Sequence, residues 1–222
     1  PYAYSSSANG RSSIIIDLNK CMIDLNRQYL KPLKQKTDAI LYELSVRDFT
    51  MYENSPSKHK GKFLGVSEAG LITKHGNNAG LDYLVNLGIT HVQLMPIFDF
   101  ATVDENQPHL LYNWGYDPAQ YNVPEGSYCS DPNDGYSRVL ECKEMIARLH
   151  RHGLRVIMDV VYNHMYDVNA SPFERIVPGY YFRKNMDGTL SNGSWCGNDL
   201  ESCNYMVRKY IIDMSRRWQS FY

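Results

Sequence analysis

Two hydrophobic rhythms alternate along the chain. Near-continuous runs of apolar, aromatic or β-branched residues stand at 39–49, which ends in polar residues, 89–98 and 154–161. Each is short enough for a strand, and too continuous for a strand with one face in water. Between the runs, apolar residues recur every three or four positions. Leu81, Leu84, Val85 and Leu87 precede Gly88, and Val139, Cys142, Ile146 and Leu149 precede Gly153. That spacing places them on one helix face, and the glycine supplies a C-terminal stop. Strand, helix, glycine, strand, met twice in succession, predicts a parallel sheet covered by helices. A further stripe, Val207, Tyr210, Ile211, Met214 and Trp218, predicts a last helix starting near Asn204 and packing on the sheet.

Residues 1–32 differ from the rest. An Ala8-Asn9-Gly10 turn precedes a short strand at 12–17, so this stretch reads as a linker or the end of a preceding β domain, with 33–222 as the main unit. Within that unit the connections are long. Loops in α/β units usually have ~2 to 6 residues, whereas about 40 largely polar ones separate the third strand from the last helix. Oversized loops after strands are where α/β folds carry their sites. The fold class is therefore α/β, either a doubly wound sheet or a β/α barrel. No Gly-x-Gly-x-x-Gly follows a strand, which disfavours the dinucleotide-binding version.

Composition removes several function classes. With 43% hydrophobic residues in 222, the chain can bury a core. Its 23 Lys and Arg against 24 Asp and Glu give a net charge of -1, and no basic run alternates with aromatics, so nucleic acid is not an expected partner. The apolar runs fall short of the roughly 20 residues a bilayer span needs, and no signal-peptide pattern opens the chain, so no membrane role is expected. Cytoplasmic and secreted locations both fit. The five cysteines, at 21, 129, 142, 196 and 203, form no Cys-x-x-Cys pair and read as scattered thiols, with a Cys196–Cys203 bridge left open.

Two places could carry chemistry. Asp159 lies in the third apolar run on the side of Ile157, and a buried carboxylate needs hydrogen-bond donors to stay there. Asn163 and His164 follow near the strand's end. A substrate-binding group and a purely structural carboxylate with a loop histidine both fit this spacing. The second place is Leu111-Tyr112-Asn113-Trp114-Gly115-Tyr116-Asp117-Pro118, in the long loop after the second strand. Aromatic faces take the C–H surface of a sugar ring, while amides and carboxylates take its hydroxyls. An aromatic minicore beneath the loop is the alternative.

Residues 112–118, Tyr-Asn-Trp-Gly-Tyr-Asp-Pro, resemble the signature heptapeptide of type I pullulanases, which are enzymes of the α-amylase superfamily, glycoside hydrolase family 13. Asp159-Val160-Val161-Tyr162-Asn163-His164 is similar to that superfamily's first conserved region, at the end of its third barrel strand. Residues 42–49 resemble its first strand and 92–98 its second. Gly193-Ser194-Trp195-Cys196-Gly197-Asn198-Asp199 resembles a pullulanase loop leading toward strand four, with Trp195 as a departure. The resemblance implies a partial (β/α)8 TIM barrel, about the first three βα units, cut before strand four. It implies hydrolysis of α-1,6-glucosidic bonds in pullulan or branched α-glucans. Tyr116 would stack on glucose at the scissile position, and Asp159 and His164 would bind hydroxyls or hold the site in shape. Asn113, Trp114 and Asp117 would complete the substrate-binding set.

The resemblance also implies what lies elsewhere. A retaining glycosidase needs a nucleophile and an acid with carboxyls ~5 Å apart, and in this superfamily they come from strands beyond the third. No catalytic carboxylate is therefore expected among these residues, and the protein is expected to be longer, with the remainder of its own catalytic domain as a partner. The outer strands of a half-built barrel would present open edges. No cofactor is expected. In many relatives the Asn at the position of Asn163 helps bind calcium, but the ~6 to 8 oxygens calcium prefers cannot be assembled from the sequence. Rival readings are an isoamylase or branching enzyme, or a catalytically silent carbohydrate-binding or assembly barrel.

Overall fold

The computed structural model describes residues 3–10 and 12–222. In chain order the elements are β1 (Ser5–Ser6), β2 (Ser13–Ile14), β3 (Leu41–Leu44), α1 (Phe63–Val66), β4 (Leu71–Ile72), β5 (Asn78–Ala79), α2 (Gly80–Asn86), β6 (His91–Leu94), β7 (Phe98–Phe100), β8 (Pro118–Pro124), α3 (Ser137–Arg151), β9 (Arg155–Met158), α4 (Pro172–Ile176) and α5 (Tyr205–Phe221). β3, β6 and β9 form a parallel sheet in that order, with Leu41, His91 and Arg155 in register at one end and Leu44, Leu94 and Met158 at the other. Antiparallel pairs β1–β2, β4–β5 and β7–β8 lie around it.

The three apolar runs become strands shorter than their patterns. The second run splits after β6: Pro96 has no N–H for a ladder, and the chain re-enters as β7, paired with β8 through bulged register. Only β6 is buried in the expected way, with Val92 and Leu94 fully enclosed. β9 is half-buried along its length, because it is an edge of the sheet beside a groove of about 710 Å³ lined by Val156, Met158, Tyr162, Trp218 and Tyr222.

α3 matches its pattern fully. Asp134 accepts from Tyr136 N (3.1 Å) and Ser137 Oγ (2.8 Å) at its start, and Val139, Cys142, Ile146 and Leu149 all enter the main core. α2 differs: over only seven residues it buries Leu81 and Leu84 while Val85 and Leu87 stay exposed. α5 also differs. Val207, Tyr210 and Met214 join a second core with Tyr121, Met165, Phe173 and Phe182, built from the long segment after β9, and of the stripe only Trp218 reaches the main core. The long connection is thus itself folded, and with Tyr121 of β8 it packs against the first part of α5. All five cysteines are free, so there is no Cys196–Cys203 bridge.

Described residues of the segment before 33 lie along α3 and α5. Cys21 is fully buried, Lys143 Nζ donates to Cys21 O (2.9 Å), and Asn26 Nδ2 donates to Ala147 O (3.1 Å). Among the described residues no helix is long and apolar enough to cross a membrane.

Candidate functional site

The parallel strands all point one way, so the segments after Leu44, Leu94 and Met158 emerge at one rim of the sheet. The loop carrying residues 112–118 is tied to two of those segments. Tyr112 Oη donates to Asp48 Oδ2, beyond β3, and the Arg47 guanidinium lies 5.0 Å from the centre of the Tyr112 ring. Tyr116 Oη donates to Asp159 Oδ2 at 2.8 Å, immediately beyond β9. Burial, reinforced by these carboxylate contacts, pushes each phenol up to about 12, so both hydroxyls remain protonated donors at neutral pH.

The loop's shape comes from Asn113 and Gly115. Asn113 Oδ1 accepts from Gly115 N (2.8 Å), while its Nδ2 faces Asp117 Oδ2 (2.7 Å), Thr102 Oγ1 (2.9 Å) and Ala101 O (3.1 Å). The amide is therefore engaged inside the loop. Gly115 has φ +96, and a Cβ there would fall 2.7 Å from Pro96 O, so only glycine lets the loop cross so closely over the β6–β7 turn. With the backbone held, Trp114 is 60% exposed and Tyr116 36% exposed, leaving aromatic surface open beside a carboxylate.

Of the residues singled out in the sequence, Tyr116 and Asp159 are brought together, Asn113 and Asp117 are paired, and Trp114 shares their loop. Asp159 lies one residue past the end of β9 and is half-buried, not enclosed within a strand as its apolar surroundings suggested, because β9 is an edge. His164 is only 4% exposed. Its carbonyl accepts from Tyr121 Oη, its Nδ1 has no partner, and no hydrogen bond joins its ring to Asp159 or Tyr116 among the described residues.

The loop 192–199 is fastened beside the same rim. Asn198 bonds both polar groups of the Met165 backbone, at 3.1 Å and 2.7 Å, and Leu200 N donates to Asn163 O at 2.9 Å. Burial alone would raise the Asp199 carboxyl. Hydrogen bonds from Ser191, Ser194 and the N–H groups of Gly193 and Ser194 overcome it and hold Asp199 below the usual carboxylate range.

Sequence reasoning missed the pin formed by Asp48 and Arg47, although both stand at the polar end of the first strand pattern. It also missed a buried cluster of Asp99, Glu105, Glu125 and Arg138. Arg138 Nη2 lies 2.7 Å from Glu105 Oε2, and both side chains are enclosed. Glu125 accepts from Phe100 N and Ser127 N, and burial with the neighbouring Glu105 charge pushes it up to about 7. Asp99 rises well above its ordinary value, first through burial and then through Glu125 and Glu105, and its Oδ2 has no partner. Among the described residues these three carboxylates are the one grouping whose oxygens could converge on a metal ion, and Arg138 already lies against them. Exposed Asn163 is not part of it.

A parallel sheet with helices between its strands, and an aromatic and carboxylate rim at the strands' C-terminal ends, defines an α/β fragment with the site-bearing rim of a β/α architecture. The family model described as alpha amylase, catalytic domain, matches residues 65–185, and the chain belongs to that family. It is 45% identical over 221 residues to the pullulanase of Bacillus subtilis (strain 168), an alignment covering 100% of this chain and 30% of that protein. It is 34% identical to "Pullulanase 1, chloroplastic" of Arabidopsis thaliana, over 98% of this chain and 26% of the relative. The crystal structure of a pullulanase from Anoxybacillus sp. LM18-11 complexed with maltotetraose superimposes with a TM-score of 0.96 at 48% identity, covering 100% of this chain and 32% of that one. The chain thus spans about a third of the length of these relatives.

Proposed function

We propose that these residues are the first three βα units of a (β/α)8 barrel in a debranching glycoside hydrolase of the type I pullulanase kind, which cleaves α-1,6-glucosidic bonds in pullulan and branched α-glucans with retention. The observation that carries this reading is the Tyr116–Asp159 hydrogen bond, because it places the heptapeptide's aromatic ring over the end of the third parallel strand, where a barrel enzyme binds its substrate. The similarity to pullulanases across the whole chain supports the same reading.

In this reading Tyr116 stacks on the glucose beside the scissile bond and Asp159 takes its hydroxyls. Trp114 offers a second aromatic face at the rim. Asn113 and Asp117 hold the loop, and His164 shapes the floor from within. The nucleophile and general acid come from later strands of the same domain, whose next strand pairs with the open edge of β9 and fills the groove beside α5. Two carboxyl groups and a water complete such a hydrolysis, so no cofactor is required.

The test is reducing-sugar release by the full-length protein from pullulan and from glycogen. Faster release from pullulan is the expected result. Faster release from glycogen favours an isoamylase, and no release from either favours a silent barrel.

A further inference from the structure

Trp195 combines two features each uncommon for a tryptophan. Its side chain is 90% exposed, and its backbone has φ +63, in the left-handed region that bulky L residues avoid. Among the described residues its ring joins no aromatic pair and lies under no cation. A glycine would satisfy the same backbone without strain.

The conformation is imposed by the rest of the loop. Asp199, itself 8% exposed, accepts from Gly193 N at 2.7 Å and Ser194 N at 2.8 Å. Asn192 accepts from Gly197 N on Oδ1 at 2.7 Å and from Trp195 N on its carbonyl at 3.2 Å. Ser194 Oγ donates to Asn198 O at 2.9 Å. The bonds from Asn198 and Leu200 then anchor the loop to residues 163–165, a few positions beyond Asp159. A large planar ring is therefore held out into solvent by a rigid loop fixed to the strand end that bears the candidate site. Persistent backbone strain in an over-determined loop is a mark of a functional position.

We infer that Trp195 is the platform of an additional α-glucan subsite, its indole face stacking on the C–H face of a glucose unit away from the bond cleaved. The inference rests on the α-glucan reading of the site. An indole suits the task because it offers a broad apolar face and loses few rotamers on binding.

The experiment is calorimetric titration of maltohexaose into the full-length protein and its W195G and W195F variants, beside thermal melts and the pullulan assay. Glycine fits φ +63, so W195G is expected to fold and melt no lower than the parent. Affinity for maltohexaose is expected to fall about tenfold in W195G and to be largely retained in W195F. Unchanged affinity in W195G overturns the inference, as does a parent that does not bind maltohexaose. A lowered melting temperature with unaltered affinity also overturns it, since Trp195 then packs against another part of its own protein. Trp195-dependent binding without pullulan cleavage leaves the platform standing and removes the debranching activity. Pullulan cleavage with binding indifferent to Trp195 does the reverse.

Discussion

Tyr116 has one ring and one hydroxyl, and the structure gives them separable tasks. The hydroxyl bonds Asp159 at 2.8 Å, while the ring retains open surface at the rim. In the full-length protein, on the proposed debranching reading, Tyr116→Ala removes the face that would stack on glucose and is expected to lower kcat/KM by an amount equivalent to about 1 to 3 kcal/mol. Tyr116→Phe keeps the face and loses only the bond that orients it, so its cost is expected to be about 1 kcal/mol. Steady-state kinetics on pullulan for the two variants check this. Equal and unimpaired turnover and affinity in Tyr116→Ala would take the residue out of the site. The loop as a candidate site was legible because the heptapeptide is contiguous in the sequence. The Asp48 partner of Tyr112 was not, since the two lie far apart in sequence and only the fold joins them.

At the scale of elements, the cluster of Asp99, Glu105, Glu125 and Arg138 joins β7, the loop after it, the end of β8 and α3. Three enclosed carboxylates face one guanidinium, and desolvation therefore favours protons on Asp99 and Glu125. The sign follows. An acid whose folded pKa lies above its unfolded value binds more protons folded than unfolded, so stability is greatest below the unfolded value and declines as pH rises toward the folded one. For Glu125 that window runs from its ordinary 4.5 to about 7. Melting temperature is accordingly expected to fall between pH 5 and 7.5. Asp99→Asn, which keeps the shape and cannot ionise, should flatten that slope and melt about 2 to 4 °C higher than the parent at pH 7.5. A parallel pH dependence in both proteins would show that Asp99 does not contribute.

The three parallel strands, the helices α2, α3 and α5 and their order could be read from apolar spacing, as the complete match at α3 illustrates, whereas the short pairs β4–β5 and β7–β8 and the helices α1 and α4 could not. Strand length could not, because Pro96 and the edge position of β9 act through pairing that no local pattern reports. Val85 and Leu87 stay exposed for another reason: with Leu81 and Leu84 set inward, Val85 lies off the buried face of α2, and Leu87 follows the helix's last residue.

The described residues form an α/β unit with two cores, a sheet with edges at β3 and β9, and, on the proposed reading, a substrate rim without a catalytic pair of its own. On that reading the rim would position sugar, and bond cleavage would need carboxyls from elsewhere in the domain. The central claim is therefore tested most directly by assaying reducing-sugar release from pullulan with the 222-residue chain, its ends verified by intact mass, beside the full-length protein. The account predicts activity in the full-length protein and none in the 222-residue chain. Pullulan cleavage by the verified 222 residues would contradict it, placing the catalytic groups within this chain.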